Sequence, residues 1–197
     1  MSLVEIVPNN VSVSIPINIR RVNKALWISY DTIKKIIRMI TETKKKILKF
    51  LVDTLNINNI PFQVSGGLGA ITYGATRELR DIDIEINKEN CPKARELFKD
   101  FIAEDFRHYE DGEFALWMMT LTIDGVSVDI NQVEESYAFD DEGNKQLLPG
   151  DLIETELKSI DDITFPVQNK ENLIAYKKIV NRDTDITDVQ EMLKSAQ

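Results

Sequence analysis

Apolar residues near the start of the chain follow a spacing of two. They occupy alternate positions in residues 4–6 and 11–15, on the two sides of a turn-forming Pro-Asn-Asn cluster at residues 8–10. Because alternate side chains of a strand lie on the same face, this spacing predicts a hairpin or an added edge strand. We assign it to an N-terminal extension at residues 1–29.

The next segment shows the spacing of a helix. Apolar residues recur every three to four positions between Ile33 and Leu51, and basic residues occupy the other faces. Asp31 is a suitable N-cap, because its side-chain oxygen can accept a hydrogen bond from an N–H of the first turn. The pattern predicts one long amphipathic helix from about residue 31 to about Leu55.

Short strands and helices alternate in the middle of the chain. Residues 62–64 predict a strand, and residues 68–73 predict a helix that ends at Gly74. Residues 81–86 alternate strictly between polar and apolar, which predicts a strand with one buried face. Pro92 suits the first turn of a helix, which we predict for residues 92–103.

Further strands and two closing helices complete the pattern. Residues 114–123 and 126–130 flank Asp124-Gly125, a strong hairpin-turn signal. We predict an exposed acidic loop at 134–150, short strands at 153–157 and 163–167, and closing helices at 169–180 and 185–194. This order predicts an α+β fold, in which a small mixed β-sheet is flanked by helices within one domain at residues 30–197.

Length and composition agree with a single globular domain. The chain has 197 residues, of which 43% are hydrophobic and 29% are charged. No apolar run approaches the roughly 20 residues of a membrane span, and the first residues do not form a secretory signal. The single cysteine, Cys91, excludes an intramolecular disulfide framework. We therefore expect a cytoplasmic protein without a membrane partner.

The charge balance excludes some functions. With 24 basic and 33 acidic residues the net charge is −9, which argues against a protein that coats nucleic acid. His108 is the only histidine, so metal sites built on several histidines are excluded. A small basic pocket for a nucleotide, or carboxylates that hold a divalent cation, remain compatible with this balance.

Two glycines stand between the predicted strand at 62–64 and the helix that follows. In Ser65-Gly66-Gly67 the absence of side chains lets the backbone approach a ligand closely, and the N–H groups of a helix start can bind phosphate. The alternative is an ordinary tight turn between a strand and a helix.

Three carboxylates are candidates for a cation site. Asp81 and Asp83 are two residues apart on a strand, so they share a face at about 6.5 Å from each other. Asp129 lies between apolar residues, where a lone charge is costly unless it is paired or metal-bound. If the strands are neighbours, the three carboxylates form an oxygen-only set that suits magnesium or manganese. The alternative for the Asp-x-Asp pair is a solvated strand face, and Glu85 on the same face ranks below it.

Such a set beside a phosphate-binding turn is suited to attack on a nucleotide phosphorus. The segment SGGLGA at 65–70, together with GATRELRDID at 74–83, resembles the signature of the polymerase-beta-like nucleotidyltransferase superfamily. The segments LIAYK at 173–177 and RDTDITD at 182–188 are similar to the C-terminal helices of its small bacterial members, which include abortive-infection toxin-like proteins and antibiotic adenylyltransferases. The resemblance covers residues 62–193 and implies the nucleotidyltransferase fold.

The resemblance also implies roles for single residues. Gly66 and Gly67, with Ser65 in the same turn, would hold the triphosphate of a nucleotide, and Asp81 and Asp83 would bind magnesium. Asp129 would be the third carboxylate and the candidate base. The implied cations of the nucleotide pocket are Arg77, Arg80 and Lys177. For these three, the alternative is ordinary surface pairing or solvation.

Some positions depart from the superfamily pattern. Leu79 and Thr184 stand where many relatives carry a small hydroxyl residue and a lysine, and Leu68 stands where some carry serine. Three hypotheses follow: an enzyme that moves a nucleoside monophosphate to a hydroxyl acceptor, a nucleotide-binding regulatory module with weak turnover, or a toxin-like component that modifies tRNA or protein. The sequence names neither the acceptor nor the triphosphate. The N-terminal hairpin and long helix are candidates for a homodimer contact.

Overall fold

The computed structural model describes residues 40–140 and 142–195. The predicted N-terminal extension and the Asp31 N-cap lie outside this part of the chain. Helix α1 spans Glu42–Ile57 and begins after Thr41, whose hydroxyl accepts a hydrogen bond from the Lys44 N–H at 3.3 Å. Because residues 40 and 41 are not helical, the prediction of one continuous helix from residue 31 is wrong at this point.

Five helices and nine strands occur in the described residues. The other helices are α2 (Gly66–Thr72), α3 (Cys91–Leu97), α4 (Lys170–Val180) and α5 (Asp183–Lys194), and 3-10 turns occupy Lys88–Asn90 and Lys99–Phe101. The strands are β1 (Phe62–Val64), β2 (Ile82–Ile86), β3 (Ile102–Glu110), β4 (Phe114–Ile123), β5 (Val126–Gln132), β6 (Tyr137–Phe139), β7 (Lys145–Leu147), β8 (Thr155–Ile160) and β9 (Ile163–Gln168). The mixed α+β class is confirmed.

The nine strands form one mixed sheet. Its order is β7-β6-β4-β5-β2-β1-β9-β8, and β3 pairs with β4 outside this path. Strands β2 and β5 run parallel, whereas β1 and β2 run antiparallel. This order brings β1, β2 and β5 side by side, which are the strands that carry the glycine turn and the candidate carboxylates.

The strict alternation in β2 divides its side chains between two environments. Ile82, Ile84 and Ile86 are fully buried and belong to the same apolar cluster as Leu48 and Leu51 of α1. Asp83 and Glu85 therefore lie on the opposite face of the strand, since successive side chains alternate. The hydrophobic face thus fixes which side of the sheet the carboxylates occupy.

Three predicted elements differ in the structure. The helix predicted for 92–103 ends at Leu97, and Ile102 begins the edge strand β3. The alternating pattern of β3 is not visible in the sequence, because most of its residues are exposed and its register with β4 is shifted. Residues 134–150 are not only loop, because the three-residue strands β6 and β7 pair with each other there. The strand predicted at 153–157 is β8, Thr155–Ile160.

The closing helices lie close to their predicted positions, at Lys170–Val180 and Asp183–Lys194. The two are joined by Asn181, which has a left-handed backbone with φ of 55°. None of the helices in the described residues combines the length and the apolar character that a bilayer crossing requires.

Candidate active site

The glycine turn lies directly against one of the carboxylates. Gly66 follows β1 with φ of +54°, and a Cβ atom placed on it would come within 1.9 Å of the Asp83 Oδ2 atom. The backbone of Ser65 donates to the Asp83 carbonyl at 3.1 Å, and the Gly67 N–H donates to the Asp83 carboxylate. Only glycine gives both the backbone conformation and the space that this approach needs.

Asp83 and Asp129 face each other on neighbouring strands. They are register partners in the parallel pair β2 and β5, and the Thr120 hydroxyl on β4 donates to Asp129 Oδ1 at 2.8 Å. Asp81 immediately precedes β2 and is close enough to both carboxylates to act on their charges. The structure therefore brings together the three carboxylates that the sequence predicted.

Burial and like charges disfavour ionisation of these groups. Burial, followed by the neighbouring carboxylates of Asp81 and Asp129, raises the pKa of Asp83 to about 7, against the opposing effects of the Gly67 N–H and the Lys177 ammonium. Burial also raises the pKa of Asp129, and Asp81 and Glu104 add to this, while the Thr120 hydroxyl opposes it. A positive charge placed between these carboxylates would offset their repulsion.

The donor set fits a hard divalent cation. All three side chains offer oxygen. The Lys177 ammonium and the Arg107 guanidinium act on the charges of Asp83 and Asp129 and offset their mutual repulsion only in part, since the pKa of both groups stays raised. In the described residues, no group of three or more His, Cys, Asp or Glu side chains is placed so that it could hold a metal ion by itself. The oxygen donors still suit magnesium, which is commonly held by one or two carboxylates together with substrate phosphates.

Glu85 continues the carboxylate face of β2. Its carboxylate accepts a hydrogen bond from Gln63 Nε2 at 2.6 Å and another from the Ser65 hydroxyl. Burial raises the pKa of Glu85 against these two donors. Glu85 is thus held by its neighbours on β1 and in the glycine turn.

The three predicted cations occupy different environments. Arg77 is 26% exposed, and its guanidinium lies so close to Gly67 that a Cβ there would come within 2.3 Å of Nη2. Arg80 is exposed and lines the same cavity. Lys177 is buried, and its ammonium binds Asp185 at 2.9 Å and Asp188 at 3.0 Å. The solvated alternative for Lys177 is therefore wrong.

A cavity of about 590 Å³ contains these groups. Seven carboxylates line it: Asp81, Asp83, Glu85, Glu104, Asp111, Glu113 and Asp129. Five cationic side chains line it as well: Arg77, Arg80, Arg107, Lys177 and Arg182. Aromatic and apolar side chains, including Tyr109, Phe114 and Tyr176, complete its wall.

Several of these residues were not predicted from the sequence. Arg182 lies within the C-terminal segment that resembles the superfamily, so its position was a signal that could have identified it. Glu104 and Thr120 reach the site only through the pairing of β3, β4 and β5, which local sequence does not reveal.

The glycine turn, the carboxylates on adjacent parallel strands and the closing helices together define a nucleotidyltransferase domain of the polymerase-beta-like superfamily. The profile of the aminoglycoside-2''-adenylyltransferase family matches residues 47–192, about three quarters of the chain. The chain belongs to this family. A comparison with curated proteins gave no match.

Solved structures share the fold at low sequence identity. A candidate nucleotidyltransferase of Thermotoga maritima is 21% identical with a TM-score of 0.62, over 80% of this chain and 96% of that chain. ANT(2'')-Ia in complex with adenylyl-2''-tobramycin is 15% identical with a TM-score of 0.53, over 78% of this chain and 88% of that chain. A solution structure of ANT(2'')-Ia is 12% identical with a TM-score of 0.54, over 80% and 86%.

Proposed function

We propose that the protein transfers a nucleoside monophosphate from a nucleoside triphosphate to a hydroxyl group of an acceptor and releases pyrophosphate. The observation that carries this proposal is the juxtaposition of Asp83, its register partner Asp129 and the bare backbone of Gly66. A cation-binding carboxylate pair beside a turn without side chains is what in-line attack on a phosphorus requires.

The three carboxylates share one role in this proposal, and Asp129 has a second. Asp81, Asp83 and Asp129 would hold magnesium or manganese, with phosphate oxygens completing the coordination. When bound, the cation would neutralise the triphosphate and lower the pKa of the attacking hydroxyl. As the third carboxylate, Asp129 would also accept the proton of the acceptor hydroxyl.

The balance of the reaction is simple. The acceptor oxygen forms a bond to the α-phosphorus, and the bond from this phosphorus to the bridging oxygen breaks. The electrons of that bond leave with pyrophosphate, and the hydroxyl proton passes to Asp129. Thr120 orients Asp129 for this step by donating to one of its two oxygens at 2.8 Å.

The nucleotide lies, in our proposal, along the glycine turn. Ser65, Gly66 and Gly67 provide a backbone that the triphosphate can approach closely. Arg77, Arg80 and Lys177 supply positive charge on this side of the cavity.

The acceptor side of the cavity favours a polar, positively charged molecule. Glu104 and Asp111 add carboxylates on strand β3 and in the turn that follows it, and acids outnumber bases in the cavity wall as a whole. Amino groups and hydroxyls would be complementary to this wall. We therefore propose an aminoglycoside or another polyhydroxylated amine as acceptor, in keeping with the name of the family.

Pyrophosphate release tests this function. The protein is incubated with magnesium and each of ATP, CTP, GTP and UTP, alone and with aminoglycosides, tRNA or a protein extract. We expect release with one triphosphate and an aminoglycoside-like acceptor. Labelled tRNA or protein would instead support the toxin-like hypothesis. Calorimetric nucleotide binding without any pyrophosphate release would support the regulatory module and contradict the enzyme.

A further inference from the structure

A chain of alternating charges connects the closing helices to the glycine turn. Asp188 accepts from Arg77 Nε at 3.2 Å and from Lys177 at 3.0 Å. Asp185 accepts from Lys177 at 2.9 Å and from Arg182 Nε at 2.7 Å. Two carboxylates thus hold three cations, and Lys177 lies in the middle.

Burial differs sharply along this chain of charges. The side chains of Lys177, Asp185 and Asp188 are each 1% exposed, whereas Arg77 is 26% and Arg182 is 40% exposed. The two arginines are therefore the ends that solvent and ligands can reach. Buried charges persist only when partners compensate their lost hydration, so the three inner residues depend on one another.

The helices explain how the two carboxylates come to the same place. Asp185 and Asp188 are three residues apart in α5, so they share one face of the helix. The turn at Asn181 sets this face against the last turn of α4, where Lys177 lies. Arg77 joins from the segment between α2 and β2, so the chain of charges fixes that segment to the closing helices.

Both arginines line the cavity and are bonded to carboxylates of α5. Arg77 uses Nε for Asp188, while its Nη2 lies beside Gly67. Arg182 uses Nε for Asp185 at 2.7 Å, and its Nη2 makes a longer contact with the same carboxylate at 3.5 Å. Its Nη1 forms an exposed pair with Glu113 at 3.1 Å. An exposed pair of this kind contributes little free energy, so a phosphate oxygen can replace it. Arg77, which is held at Nε, still offers its two Nη groups to phosphate as a planar pair of donors, and Arg182 offers Nη1.

We propose that Asp185 and Asp188 are positioning residues that aim Arg77 and Arg182 at the triphosphate, and that Lys177 is the buried link between them rather than a phosphate ligand. This inference rests on the proposed function, because it assumes a triphosphate in the cavity. It assigns Arg182 to the nucleotide site and gives two carboxylates a part in binding an anion.

Replacement of Asp188 distinguishes a role in positioning Arg77 from the electrostatic effect of its negative charge alone. Asp188→Asn removes a negative charge near the site, so charge alone predicts tighter binding of an anion. Loss of positioning predicts the opposite, about tenfold weaker binding of inorganic tripolyphosphate with magnesium in calorimetry. Asp185→Asn is expected to act in the same way. Asp183→Asn, at an exposed position of the same helix, is the control and is expected to bind as the parent does.

A second variant keeps the test decisive if the buried carboxylates are needed for folding. Arg77→Lys retains the charge at a partly exposed position but loses the Nε contact and the planar pair of donors. We expect about tenfold weaker tripolyphosphate binding, with Arg95→Lys in the exposed pair with Asp105 as the control. Unchanged or tighter binding by Asp188→Asn, or unchanged binding by Arg77→Lys, would overturn the inference. Failure of the parent to bind tripolyphosphate would instead contradict the proposed nucleotide site itself.

Discussion

The carboxylate of Asp83 occupies the space that a side-chain methyl group on Gly66 would need. A Cβ atom on Gly66 would lie 1.9 Å from Asp83 Oδ2 and 2.6 Å from Cγ, and the φ of +54° adds strain for any other residue. This contact joins the turn after β1 to the carboxylate face of β2. Substitution of Gly66 therefore tests whether the turn and the carboxylate face of β2 form one site.

Gly66→Ala is therefore expected to damage both function and stability. The added methyl group must displace Asp83, and the left-handed backbone costs about 1–2 kcal/mol of unfolding free energy. We expect nucleotidyl transfer to fall at least about tenfold, measured as initial rate of pyrophosphate release. Gly112→Ala is the matched control, since nothing lies within 4 Å of its Cβ position. Equal rates for the two variants would contradict the role of the turn.

Stability without divalent cations should fall as the pH rises. Because the pKa of Asp83 is raised to about 7 in the folded protein, the folded state keeps a proton that the unfolded chain loses above about pH 4. The unfolding free energy contributed by this group thus decreases between about pH 4 and 7, by at most about 1.4 kcal/mol per pH unit. Above that window the contribution is constant.

Urea unfolding of the parent and of Asp83→Asn at several pH values measures this effect. The stability of the Asn variant relative to the parent should increase from pH 5 to pH 7 and then level off. Asp53→Asn, in an exposed pair with Lys49, should show no such trend. Magnesium should stabilise the parent more at pH 8 than at pH 5. A stability difference that is the same at every pH would contradict the clustered carboxylates.

Glu104 tests the charge of the acceptor. It lies in the cavity wall and acts on the charge of Asp129. For an acceptor with amino groups, Glu104→Gln should raise KM by about threefold at low salt and less at high salt, because the contact is solvent-exposed. The nucleotide dissociation constant should not change. Glu96→Gln, in the surface pair with Lys99, is the control. An unchanged acceptor KM would contradict an acceptor bound by this wall.

The sequence predicted the strands and helices that bury one face, because burial of one face leaves a regular spacing of apolar residues. The alternation of residues 81–86 identified β2, and the Asp124-Gly125 turn identified the β4 and β5 pair, so the neighbourhood of Asp83 and Asp129 could be anticipated. The edge strand β3 could not, because most of its side chains are exposed and its register with β4 is shifted. The three-residue strands β6 and β7 are too short to show a period.

The sequence did not reveal the partners of the predicted cations. Lys177, predicted to reach the triphosphate, lines the cavity with its ammonium bonded to Asp185 and Asp188. That arrangement depends on the left-handed turn at Asn181, which decides how α5 meets α4. Helical spacing predicts each helix on its own and does not predict their contact. For the same reason, the sequence did not place Arg182 beside the cavity that it lines.

The transfer reaction of carboxylate variants tests the account most directly. Pyrophosphate release is measured for the parent, for Asp83→Asn, for Asp129→Asn and for the exposed control Asp53→Asn, at saturating magnesium and triphosphate with the preferred acceptor. We predict a loss of at least about a thousandfold for the first two variants with cooperative unfolding retained, and none for the control. Transfer by Asp83→Asn or Asp129→Asn at the rate of the parent would contradict a reaction centre built on these carboxylates.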